Sequence, residues 1–338
     1  MLNIISRSIV SSRTSGPRKV VENLIKGLDE IGYPYTINAQ LDACARVWIH
    51  DDIDALREVV KLHNVAAVVG PNLYVTPGQI PEDLDLSKIL YIHPSPWVMD
   101  MWKENGFNRA PLAAWPTGID TSVFSQSTQN KTSVLVYFKE RYPEELAHVE
   151  KLLITKNINY TILHYGNYTE DTYQKLLATS RYIIWIGRQE SQGIALEEAL
   201  ATNVPVLVWD VPRLGHWQST PASMAVFSEQ ENNFIGATSA YYFDTRCGII
   251  TKEKDTLSGD IDRFEKNWET FTPRQYILEE LNVAKQAREL IMFYQTHFNL
   301  SYTDGLNETI KPPGKWKNGT VVFKIKTRLK DAVRTIIR

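Results

Sequence analysis

The sequence predicts an α/β protein of two Rossmann-like domains, and three observations carry that prediction. Short apolar runs of strand length alternate with stretches of helical spacing through residues 1–124, the pattern of a parallel sheet covered by helices. A polar stretch, residues 125–132 (SQSTQNKT), interrupts the alternation and reads as a linker. The alternation then resumes through residues 133–300. A chain of 338 residues has room for two such domains, at ~150 residues each.

In the first half, residues 2–6 form a short apolar strand, followed by a loop over 11–17 and a helix over 18–31. Val20, Val21, Leu24, Ile25 and Leu28 mark the apolar stripe of that helix. Pro17 suits its first turn, and Gly16 lets backbone approach a ligand closely. Strand-like runs recur at 35–38, 47–50, 66–70, 89–93 and 113–116, with helices at 53–63 and 97–105. Asp51, Asp52 and Asp54 have the look of a metal site, but acidic residues favour a helix start and a helix follows at once. His93 ends an apolar strand, so it either points from the carboxyl edge of the sheet toward a ligand or is a structural histidine.

In the second half, strands at 134–138, 160–164 and 182–186 alternate with helices at 144–155 and 170–178. Residues 187–200 (GRQESQGIALEEAL) follow the third strand, and another strand at 204–209 comes after them. A helix starts near Gly193, leaving Glu190 in the loop and Glu198 about one and a half turns in. Unpaired N–H groups at a helix N-terminus suit an anion. Glu190 and Glu198 can accept hydrogen bonds from two hydroxylated groups beside it. Phosphate beside polyol describes a nucleotide sugar. After Asp210 the sequence reads as an irregular lobe over 211–233, then helices at 257–271 and 273–297.

Composition excludes several classes. The net charge is −2, with 43% hydrophobic and 22% charged residues, so bulk charge does not call for nucleic acid. Cys44 and Cys247 make no disulfide framework and have no zinc-ligand spacing. The first seven residues turn polar too soon for a secretory leader, and no apolar run reaches the ~18 residues of a membrane span. The expected location is the cytoplasm. The segment 311–338 carries nine Lys/Arg and one acid, Asp331, a charge of +8 that leaves −10 on the rest. It reads either as a basic amphipathic helix on the inner face of an anionic membrane or as a helix docked on the acidic body.

The segment from Glu190 to Glu198, with Ser191, Gly193, Ala199 and Pro205 in place, closely resembles the E-x7-E signature of the retaining glycosyltransferase family four (glycosyl transferases group 1). Residues 15–24 resemble that family's first glycine-bearing loop, and residues 115–124 (WPTGIDTSVF) its interdomain crossing. The resemblance implies a GT-B fold: two Rossmann-like domains facing each other across a cleft, with helical C-terminal closure. It implies a domain over 1–124, the linker 125–132, a nucleotide-sugar domain over 133–300 and the basic segment 301–338.

The implied activity is metal-independent transfer of a hexose from a nucleotide-diphosphate sugar to a glycan or lipid-linked acceptor, in polysaccharide assembly, with no cofactor. Glu190 would position the sugar and Glu198 the ribose. Ser191, Gln192, Gly193 and Ile194 would face sugar and phosphate, with Gly16 and His93 on the opposite wall. Lys139 would neutralise the departing diphosphate, helped by Arg141. Here the sequence departs from the family: the usual Gly-Arg is Phe138-Lys139, and a later Lys-Gly pair is absent from residues 142–144. Two other functions fit the same residues, a nucleotide-sugar epimerase and a non-catalytic partner subunit that binds nucleotide sugars.

Overall fold

Apolar runs buried on both faces become parallel strands with helices packed on each side. The computed structural model describes residues 1–11, 15–218 and 226–308, and the chain divides into two units. Met1–His93, Asn108–Gly118 and the described residues from Val283 form the first; Pro94–Phe107 and Ile119–Asn282 form the second.

The first unit is built on six parallel strands: β1 (Leu2–Ile5), β2 (Tyr35–Ile37), β3 (Arg46–Ile49), β4 (Ala66–Val69), β5 (Ile89–His93) and β6 (Leu112–Ala114). Their order is β2-β1-β3-β4-β5-β6. Helix α1 (Gly16–Ile31) starts at Ser15, whose side chain accepts from the Arg18 N–H, and stops at Gly32 in the left-handed region. Helix α2 (Ile53–Val59) is capped by Asp52, which accepts from the Ala55 N–H. Asp51 accepts from the Arg7 and Ser8 N–H groups, and Arg7 pairs with Asp52 and Asp54. The acidic run therefore builds a helix start, as its position implies.

The second unit holds five parallel strands: β7 (Ser133–Lys139), β8 (Tyr160–His164), β9 (Ser180–Gly187), β10 (Val206–Trp209) and β11 (Gly248–Thr251), in the order β11-β10-β9-β7-β8. Side chains alternate between its two faces. Leu135, Tyr137, Ile183, Trp185, Val206 and Val208 join one core with α5 (Glu170–Thr179), α6 (Ile194–Ala201) and the helix Pro273–Glu280. Val134, Val136, Tyr182, Ile184 and Leu207 join the other with α4 (Pro143–Thr155) and the helix Leu257–Asn267.

Three expectations change. The single helix expected over 273–297 is two, Pro273–Glu280 and Val283–Phe298, because Leu281 and Asn282 are engaged elsewhere. The Leu281 carbonyl accepts from the Ile119 N–H at 2.7 Å, and Asn282 forms a β-bridge with Ile119. The second of these helices belongs to the first unit rather than the second. It meets α1 at Gly27, where a Cβ would overlap the Val283 carbonyl, and Tyr294 donates to the Val47 carbonyl at 2.6 Å. Consequently the polar stretch 125–132 is not the boundary, which falls at 118/119 and 282/283, while residues 94–107 join the second unit. Strand β11 is an addition: only Ile249 and Ile250 are apolar in it, and pairing with β10 supplies the order its sequence does not.

Both sheets reverse strand order once, between β1 and β3 and between β7 and β9. In open parallel sheets such reversals open a crevice at the carboxyl ends of the strands, where ligands bind. Among the described residues no helix is long and apolar enough to cross a membrane. The basic segment 311–338 lies outside the described residues.

Candidate active site at the second sheet

The reversal between β7 and β9 brings two chain segments side by side. Lys139, the last residue of β7, pairs in register with Gly187, the last of β9, and the Arg188 N–H donates to the Lys139 carbonyl at 2.9 Å. Three residues past Gly187, Glu190 turns back so that its Oε1 lies 2.5 Å from Lys139 Nζ. Only 9% of the Lys139 side chain and 15% of the Glu190 side chain meet solvent, so the pair is barely screened. The Lys139 ammonium also sits 4.1 Å from the centre of the Tyr165 ring. Beside this pair, Arg188 Nε lies 2.6 Å from Glu140, and its guanidinium lies over Trp217 at 5.1 Å.

Helix α6 begins directly after this loop. Its N-cap, Gly193, has φ 101° and ψ 41°, a conformation that L side chains rarely adopt. The α6 sequence is apolar on nearly all sides because both neighbours bury it; Glu197 and Glu198 are buried with the alanines and leucines. Gln192 Nε2 donates to Glu197 Oε2 at 2.7 Å. Burial pushes the Glu197 carboxyl well above the usual range, and the nearby Glu198 and Glu190 carboxylates add to the shift. The loop is held from below by the Glu190 N–H, which donates to the Thr238 carbonyl at 3.0 Å. The Lys139–Glu190 pair, the N-terminus of α6 and the Glu198 side chain thus lie together at the switch point of the sheet. Such a set can hold an anion and accept hydrogen bonds from hydroxyls beside it.

No family model matches the sequence, and no curated protein sequence matches it either. Solved structures do match. Sucrose-phosphate synthase from Thermosynechococcus elongatus superposes with a TM-score of 0.55 at 11% identity, over 89% of this chain and 99% of that one. AviGT4, a glycosyltransferase involved in avilamycin A biosynthesis, gives 0.50 at 12% identity, over 89% and 98%. The Anabaena protein HepE, in complex with UDP and glucose, gives 0.50 at 10% identity, over 87% and 99%. The fold is GT-B.

Within this GT-B chain, Lys139, Glu190, Ser191, Gln192, Gly193, Ile194 and Glu198 come together around the start of α6 in the second unit. Arg141, expected as a second phosphate cation, is engaged within the second unit. It is buried to 1%, its Nε and Nη2 pair with Glu145, and its Nη1 donates to the carbonyls of Gly187 at 3.1 Å and Trp209 at 2.9 Å. Every one of its guanidinium nitrogens is thereby spent on tying β7, β9 and β10 to α4. Gly16 and His93 belong to the first unit. Gly16 opens α1, and a Cβ there would meet nothing within 4 Å. His93 is buried to 2% and tilted against Tyr91 at 5.1 Å, and burial lowers its imidazole to about 3, so the ring is neutral.

Arg188, a basic residue immediately after the strand-ending Gly187, adds a second cation beside the Lys139–Glu190 pair that was not among the expected site residues. Among the described residues no three His, Cys, Asp or Glu side chains converge as metal ligands.

Proposed function

We propose that the chain is a retaining glycosyltransferase that moves a hexose from a nucleotide-diphosphate sugar to a glycan or lipid-linked acceptor without a resident metal. The observation that carries this reading is the Lys139–Glu190 pair at the β7/β9 reversal, set against the N-terminus of α6. The diphosphate takes the Lys139 ammonium in place of Glu190, and the released carboxylate accepts hydrogen bonds from the sugar hydroxyls. Glu198, one turn into α6, accepts from the ribose. As the bond to the anomeric carbon breaks, negative charge builds on the leaving phosphate. Lys139 and the α6 N-terminus neutralise that charge without reorganising. The leaving phosphate takes the acceptor proton, so no separate general base is required.

The experiment is incubation with a panel of UDP-, GDP- and ADP-sugars, following release of nucleotide diphosphate with and without EDTA. Release that persists in EDTA and falls in Glu190→Ala supports the reading. Binding without release favours a partner subunit, and interconversion of the sugar favours an epimerase. The +8 charge of segment 311–338 suits an anionic lipid surface around a lipid-linked acceptor. Loss of binding to anionic liposomes on truncation before residue 311 supports that role, while loss of stability supports docking on the acidic body.

A further inference from the structure

Residues 94–107 leave the first sheet at the end of β5, form helix α3 (Pro96–Glu104), and belong to the second unit. They grip the loop between β9 and α6 through its backbone. Ser95 Oγ donates to the Ser191 carbonyl at 2.5 Å, and Trp97 Nε1 donates to the Glu190 carbonyl at 3.1 Å. Both side chains are buried, Ser95 to 0% and Trp97 to 6%. The grip is itself braced: Tyr242 donates to the Pro94 carbonyl at 2.9 Å, and the Trp97 ring stacks on Phe234 at 6.3 Å between centres.

Ser95 stands at the N-cap of α3, where a serine ordinarily accepts from its own helix. It makes no such cap bond; its hydroxyl is turned to the loop instead. In a trans peptide the carbonyl and the following N–H point in opposite directions. Fixing the carbonyls of Glu190 and Ser191 toward Ser95 and Trp97 therefore turns the N–H groups of Ser191 and Gln192 to the other side. Successive backbone N–H groups can together cradle an anion, and these two lie directly before the N-terminus of α6.

We infer that Ser95 and Trp97 are positioning residues for the diphosphate: they lock the two peptide planes whose N–H groups receive it. The inference rests on the proposed donor site, and the test separates the two. Calorimetric titrations compare wild type, Ser95→Ala, Ser95→Thr and Trp97→Phe with UDP, GDP and ADP, and with the matching nucleosides. Each lost hydrogen bond is expected to weaken the best-bound diphosphate about 3- to 10-fold while leaving affinity for its nucleoside unchanged. Ser95→Thr, which keeps the hydroxyl, restores it. Equal losses for diphosphate and nucleoside, or no loss, overturn the inference and leave the donor site standing. A wild type that binds no nucleoside diphosphate overturns both. If Trp97→Phe does not fold, the Ser95 pair decides alone.

Discussion

The Lys139 ammonium and the Glu190 carboxylate lie 2.5 Å apart, the first on the last residue of β7 and the second in the loop three residues past β9. On the proposed function each stands in for what the other would bind: the lysine occupies the carboxylate that sugar hydroxyls would use, and the carboxylate occupies the cation that a diphosphate would use. In the structure the pair balances two nearly buried charges.

Removing the cation should therefore cost catalysis more than donor affinity. Lys139→Met is expected to lower nucleotide diphosphate release by about 10²-fold or more, the usual effect of deleting one group aimed at developing charge. Single-turnover rates at saturating donor check this. A variant that turns over normally once saturated would remove Lys139 from the chemistry.

Arg141 and Glu145 make a structural ion pair, with His216 Nε2 3.0 Å from Glu145. Burial alone would raise the Glu145 carboxyl, but hydrogen bonds from His216 and Arg141 outweigh it and hold it at about 2. A depressed folded pKa contributes stability that is present above the ordinary value of 4.5 and is lost as pH falls toward 2. Urea denaturation across that window should show the loss in wild type, and Glu145→Gln should lack it. Arg141→Met, which strands the Glu145 charge, should destabilise by about 3–5 kcal/mol at pH 7.

Glu197 carries the opposite sign. Burial raises its carboxyl well above 4.5, so the folded protein keeps a proton that the unfolded chain releases. Stability then declines as pH rises from about 4.5, by about 1.4 kcal/mol per pH unit until the folded group ionises. Glu197→Gln keeps the shape and removes the penalty. It should be near wild type at pH 5 and more stable at pH 8, measured as the shift in urea midpoint.

Gly27 tests the assignment of the last long helix. A Cβ there overlaps the Val283 carbonyl, with the Ala287 methyl close by. Both opposing backbones would have to part. Gly27→Ala should cost about 1–3 kcal/mol, and equilibrium unfolding reads it. Unchanged stability would mean that α1 and the helix Val283–Phe298 are not in contact at that point.

The sequence alone determined the parts whose signals are local. Continuous apolar runs gave strands, since parallel strands are buried on both faces; Pro17 and the acidic residues Asp51, Asp52 and Asp54 gave helix starts, since the preferences of a first turn are settled within a few residues. The loop from Glu190 to the helix at Gly193 was legible for the same reason: strand, glycine with positive φ and helix N-terminus are consecutive in the chain. The fate of Arg141 was not legible, because its partners, the Gly187 and Trp209 carbonyls, lie 46 and 68 residues away. A basic residue beside a strand end looks the same whether it faces a ligand or two carbonyls. The home of the helix Val283–Phe298 was hidden likewise. Its apolar stripe says that one face is buried, but only tertiary packing against Gly27 decides which sheet it covers. Tertiary structure also turned Ser95 and Trp97, about a hundred residues before Glu190, into holders of that loop. Backbone carbonyls have no sequence signature, so no pattern could announce which side chains would bind them.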